Sequence, residues 1–223
     1  MEELEVNLKS RIKEGFDKYV EGCYTYHDKT GHTEIKHSVL NELLDEINGR
    51  VLDVGTGGGP IAIHIAEACE DADVHGIDIS DGMIDKAINE IVANKNVNFL
   101  VDDAENLSFE NNSFDVVTTC MFLPWVVDKE KMLKELSRVC KDSGKIIFIE
   151  EDWYAEPEDV KHIVPHHPDK AEKFKLLSLS TRMSLAELTS IMKGHGYSLK
   201  KEVRKDVDDV HYMAGLVFTK GNL

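Results

Sequence analysis

"VLDVGTGGGP", residues Val51 to Pro60, decides the fold. An apolar run carrying one acid, Asp53, breaks into Gly55, Thr56, Gly57 and Gly59, and Pro60 comes next. Such a near-continuous apolar run suits a strand buried on both faces. Glycine tolerates positive φ and lets a ligand approach the backbone closely. Proline suits the first turn of a helix, where its missing N–H costs nothing. The stretch therefore reads as strand, tight loop and helix N-terminus.

The same alternation continues on either side. Strand patterns lie at 50–54, 73–77, 97–101, 114–119 and 145–150, with helical patterns at 60–69, 81–93 and 129–140 between them. This predicts a parallel sheet with right-handed crossovers. Towards the C-terminus a helix opens near Ser184, where Glu187 completes a capping box, and it ends at "GHGY". Two further strands, 198–203 and 211–219, form an antiparallel pair. The predicted class is α/β: a Rossmann-like, doubly wound, mostly parallel seven-stranded sheet with an antiparallel C-terminal pair and helical lid segments. With no repeat, low-complexity tract or linker, residues 1–223 read as one domain. Residues 1–48 read as a lid of two helices around "GCYTYHDKTGHTE", and 153–183 as an irregular His- and Pro-rich insertion over the site.

Composition narrows the partners. The chain has 223 residues, 42% hydrophobic and 30% charged, as ordinary folded proteins have. Its formal net charge of −16 argues against nucleic acid, whose phosphates need Lys and Arg. No apolar run approaches the length of a membrane span. The charged, amphipathic "MEELEVNLKSRIKEGF" lacks a signal-peptide core. Cys23, Cys69, Cys120 and Cys140 are widely spaced and read as reduced thiols, which predicts a cytoplasmic protein. Oligomeric state stays open.

The glycine loop needs a ligand class. Asp78 closes the second strand about twenty residues on, where an acid accepts hydrogen bonds from a ribose diol, so an adenosine-type cofactor is implied. A dinucleotide places an anionic pyrophosphate at the helix N-terminus, and Asp53 would repel it. Counted from Gly55, the third small position of that fingerprint is Pro60; the register Gly57 to Ala62 starts two residues late. A cofactor with an ammonium group and no phosphate, such as S-adenosylmethionine, would welcome Asp53.

At this point the sequence resembles the class I S-adenosylmethionine-dependent methyltransferases, over about residues 50–150 and more loosely at the ends. "VLDVGTGGGP" is similar to their first motif and "VHGIDISDGMIDKA" to their second. "VDDAENLSFENNSFDVV" resembles the third and fourth, with Asp115 opening strand four, and "LKELSRVCKDSGKIIFIE" resembles the family's next helix, turn and strand. The resemblance implies cofactor contacts from Asp53, Gly55, Thr56, Gly57, Gly59, Asp78, Ile79, Met83, Asp103, Ala104 and Cys120. Asp78 would take the ribose, Met83 and Asp103 the adenine, and Cys120 the methionine end.

The acceptor side is less determined. In "TTCMFLPWVVD", Phe122 and Trp125 read either as core residues or as walls of a methyl channel; Tyr24 and Tyr26 resemble the aromatic that family members bring over the cofactor. Pro124 stands where a histidine is frequent, so a base from this loop is in doubt. The remaining base candidates are His27 and Glu150, or Glu151. No Asn/Asp-Pro-Pro-aromatic run is present, so the likeness to DNA and amide methyltransferases fails there. His162, His166 and His167, with Glu150, Glu151 and Asp152 upstream, have zinc-ligand chemistry but read as a solvated loop, so no metal is assigned. Cys23 and Cys120 read as small buried hydrophobes rather than a grip for a soft metalloid. The reading is methyl transfer to a small-molecule acceptor by in-line displacement. The alternatives are a non-catalytic S-adenosylmethionine sensor and an NAD-dependent oxidoreductase.

Overall fold

A computed structural model of the chain describes residues 7–18, 20, 32–90, 96–153, 183–209 and 211–221. Tyr24, Tyr26, His27, Cys23, the His-rich 162–167 run and nearly all of the 153–183 insertion lie outside them.

Helix α1 covers residues 7–18 and α2 covers His32–Asn41. Then β1 (Arg50–Val54), α3 (Pro60–Ala68), β2 (Asp73–Asp78), α4 (Asp81–Glu90), β3 (Val97–Val101) and β4 (Phe114–Cys120) alternate as expected. After them come α5 (Lys129–Val139), β5 (Cys140–Trp153), α6 (Leu185–Gly194), β6 (Tyr197–Asp206) and β7 (His211–Lys220). The seven strands run in the order β3-β2-β1-β4-β5-β7-β6. The first five pair in parallel, and β7 pairs antiparallel with both β5 and β6. The doubly wound sheet and its C-terminal pair are thus as the sequence predicted.

Side-chain alternation divides the core between the two faces. Leu52, Val54, Ile146 and Phe148 face α5 and α6, packing with Leu133, Leu136, Leu188 and Met192. Val51, Ile147 and Ile149 face the other way, towards Val39, Leu40, Ile61 and Ile65 of α2 and α3. The capping box at Ser184 and Glu187 forms with both hydrogen bonds.

Strand β5 corrects the expected 145–150. It leaves α5 directly at Cys140, and the polar "KDSG" that resembled a turn is a bulge between the Phe114–Cys140 and Val116–Lys145 pairs. At its other end it runs to Trp153, because β7 pairs with it as far as His211. Strand β6 is also longer than the expected 198–203. Its "KKEVRKD" stretch lies at the sheet's edge, where charge discourages pairing with another chain.

Candidate active site

The C-terminal ends of β1, β2 and β4 converge on the glycine loop, as open α/β sheets place their ligands. Gly55, Gly57 and Gly59 have φ of 71°, 56° and 85°, a region that disfavours side chains. Gly55 is bare for a second reason: a Cβ there would lie 2.2 Å from the Phe122 ring. The loop is tied to β2 by Thr56 N–H, which donates to Ile77 O at 2.8 Å.

Asp53 and Asp78 brace this loop from two sides. Asp53 is 1% exposed and accepts from the Thr56 hydroxyl at 2.6 Å and the Thr118 hydroxyl at 2.9 Å. Desolvation pushes its pKa up to about 6, against those hydroxyls, which favour the ionised form. Asp78 accepts from Gly57 N–H at 3.0 Å and Ser80 N–H at 2.9 Å. Burial raises its pKa, and the backbone donors oppose the rise. Each engaged carboxylate oxygen keeps acceptor capacity for a further donor.

Of the other expected cofactor residues, Met83 is buried and its N–H donates to the Ser80 hydroxyl; Ala104 is buried and Ile79 half-buried. The Asp103 carboxylate accepts from Glu105 N–H at 2.9 Å and pairs with Lys9 of α1 at 2.7 Å. Burial pushes the Cys120 thiol far up, so it stays protonated and offers no nucleophile. Asp115 ties strands rather than ligand: it accepts from Arg50 N–H at 2.9 Å and pairs with Lys141 at 2.7 Å.

The loop after β4 stands over the glycines. Met121 holds φ of 54°, a strained value for an unbranched side chain next to a site. Two buried glutamates fix the rest of this loop. Glu150 accepts from Phe122 N–H at 2.9 Å and Leu123 N–H at 3.1 Å; Glu105 accepts from Val127 N–H at 3.1 Å and Asp128 N–H at 3.0 Å. Desolvation pushes Glu150 up to about 7, with the two N–H groups opposing. Trp125 meets Phe16 of α1 edge-on at 5.0 Å.

Helix α1 crosses this edge of the molecule. Lys9 reaches Asp103 and Glu105, and Asp17 accepts from the Ser80 hydroxyl at 2.6 Å and Gly82 N–H at 3.2 Å. Lys13 pairs with Asp81. Sequence reasoning singled out neither Glu105 nor the α1 residues. The charged, amphipathic N-terminus signalled a surface helix without showing its partner.

With this geometry in place, comparison with known proteins is informative. Residues 52–148 match a family profile described as a methyltransferase domain. A ubiquinone/menaquinone biosynthesis C-methyltransferase of Geotalea daltonii is 35% identical over 107 residues, 46% of each chain. A ubiquinone biosynthesis O-methyltransferase of Coxiella burnetii is 35% identical over 99 residues, 44% of this chain and 42% of that one. The chain therefore spans just under half the length of these curated relatives. Among solved structures, a Thermotoga maritima S-adenosylmethionine-dependent methyltransferase, described as a possible histamine N-methyltransferase, superposes with a TM-score of 0.69. That match covers 94% of this chain and all of the other at 20% identity, so it speaks for the fold. Residues 52–148 are thus similar to a methyltransferase domain, and the sheet around them has the fold of a solved S-adenosylmethionine-dependent methyltransferase.

Proposed function

We propose that the chain binds S-adenosylmethionine and transfers its methyl group to a small molecule. The observation that carries this is the pairing of Asp78, bonded to Gly57 N–H at the end of β2, with the buried acid Asp53 beneath the same loop. An acid at the ribose position fits an adenosine, and an acid under the loop suits a cationic methionine end and opposes a pyrophosphate. The same contrast weighs against a nicotinamide oxidoreductase.

The resident chemistry would be the sulfonium's own: the acceptor's electron pair forms the new bond to carbon, and the sulfur leaves neutral. Alignment and exclusion of water are then the protein's main tasks. Phe122 and Trp125 wall the methyl path, and helix α1 lies beside that wall through the Phe16 contact with Trp125. Glu150, with its pKa near neutrality, is the base candidate among the described residues if the acceptor must lose a proton. The relatives' names span carbon and oxygen acceptors in quinone biosynthesis, so precursors of that class are the first substrates to try. A small-molecule acceptor, no nucleic-acid partner and a reducing, cytoplasmic setting suit the acidic chain and the free Cys69, Cys120 and Cys140. Among the described residues no helix is long and apolar enough to cross a membrane.

Two measurements test this reading. Calorimetry should show S-adenosylhomocysteine binding and no NAD binding. Incubation with methyl-labelled cofactor and a panel of quinone precursors, phenols and amines should then label a product. Binding with no turnover on any acceptor would favour the sensor reading, and NAD binding alone would overturn the cofactor assignment.

A further inference from the structure

Beside this site, three elements bring together a second cluster. His32 opens α2, Glu151 lies in β5 and His211 opens β7. Glu151 is next to Glu150, and alternation turns it to the opposite face of the sheet, towards α2. His32 Nε2 lies 2.7 Å from Glu151 Oε1. One donor atom from each of the three residues lies within 4.8 Å of the others. We propose that His32, Glu151 and His211 form a binding site for a divalent transition metal of the zinc type.

The donor set is right for such an ion. Two imidazoles and one carboxylate are a three-protein-ligand zinc set that leaves a fourth position open. Donors around a tetrahedral zinc sit about 2.0–2.2 Å from it and so roughly 3.3 Å from one another. The His32–Glu151 pair at 2.7 Å would have to open by about 0.6 Å, and the widest separation, within 4.8 Å, would have to close by up to about 1.5 Å. The side chains are 10%, 23% and 12% exposed, so the cluster is mostly shielded yet reachable from water.

The surroundings support the ligand reading over a plain ion pair. The His211 Nδ1 lies 2.7 Å from Asp208 Oδ1, which also accepts His211 N–H at 3.0 Å. A carboxylate on the second ring nitrogen fixes the tautomer and directs Nε2 outward, as metal-bound histidines are held. Glu151 Oε1 is buried and has no well-aligned hydrogen-bond donor. A metal would satisfy it, since a bound ion takes the carboxylate and the neutral imidazole as ligands. The inference is independent of the proposed acceptor.

Zinc chloride titrated calorimetrically into the full-length, chelator-treated protein tests this. One ion per chain is expected, with affinity tighter than millimolar. His32→Ala and His211→Gln should each weaken it by about a hundredfold, and Asp208→Asn by about tenfold as a positioning residue. Glu151→Gln, nearly isosteric, should also weaken it while circular dichroism stays unchanged. The triple variant His162→Ala, His166→Ala, His167→Ala should bind as the parent does. The site is overturned if no stoichiometric binding appears, or if binding survives His32→Ala and His211→Gln and disappears in the triple variant.

Discussion

At the scale of single residues, the two acids of the glycine loop have separable roles. Asp78 presents a carboxylate already oriented by Gly57 and Ser80 N–H groups. Charge-assisted hydrogen bonds are worth roughly 1.5–3 kcal/mol, so Asp78→Ala should weaken S-adenosylhomocysteine binding by about tenfold to a hundredfold in calorimetry. Unchanged affinity in a folded variant would remove Asp78 from the ribose site. Asp53 makes a pH prediction instead. Its pKa is pushed up to about 6 by burial. A cationic cofactor favours its ionised form, so binding takes up no proton above that pH and must expel one below it. Affinity should fall as pH drops through about 6, by up to tenfold per unit. Asp53→Asn should flatten that profile, and parallel profiles in the two proteins would count against the charge argument.

At the scale of elements, α1 decides how enclosed the site is. Lys9 holds the Asp103 carboxylate, Asp17 holds the start of α4, and Phe16 meets Trp125. The helix thus touches both the residues proposed for the adenine and the proposed acceptor wall, which a lid must do to exclude water. Amide exchange over residues 7–18 should slow when S-adenosylhomocysteine is added. Deleting the first twenty or so residues should leave the sheet folded while weakening retention of the ligand. A truncated protein that holds it equally well would make α1 a bystander. These elements also mark where sequence reading succeeds. The β1 loop, Asp78 and the α5 boundary were legible because glycine, proline and hydrophobic period act locally. Glu150 and Glu105 anchor backbone 28 and 22 residues away, and no local pattern reports such a meeting. The extension of β5 to Trp153 was hidden likewise, since Glu151 and Asp152 look like a turn until β7 pairs with them. His32, Glu151 and His211 meet only through the whole sheet.

At the scale of the whole molecule, the acidity and the buried acids push stability in the same direction with pH, and salt separates them. The net charge of −16 adds self-repulsion that grows as protons leave. Glu150 and Asp53 act through linkage. Their folded pKa values, about 7 and about 6, lie above the ordinary 4.5 and 3.8. The folded state keeps protons that the unfolded chain has released, so stability falls as pH rises through this window, by about 1.4 kcal/mol per unit and proton. Asp53 has finished contributing near pH 6, which leaves Glu150 from there to about 7. His37 opposes them, since burial lowers its pKa and favours folding as it loses its proton. Salt of about 0.5 M screens exposed charges over a few ångströms and reaches buried ones much less. In high salt the thermal midpoint of the parent protein should therefore still fall between pH 6 and 7. In Glu150→Gln the amide oxygen can accept from Phe122 and Leu123 N–H as the carboxylate does, with no proton to lose. The fall should be smaller there by the Glu150 contribution, while the His37 and surface terms cancel between the two proteins. Equal slopes in parent and variant would mean that Glu150 is ionised throughout, and would withdraw it as a base poised near neutrality.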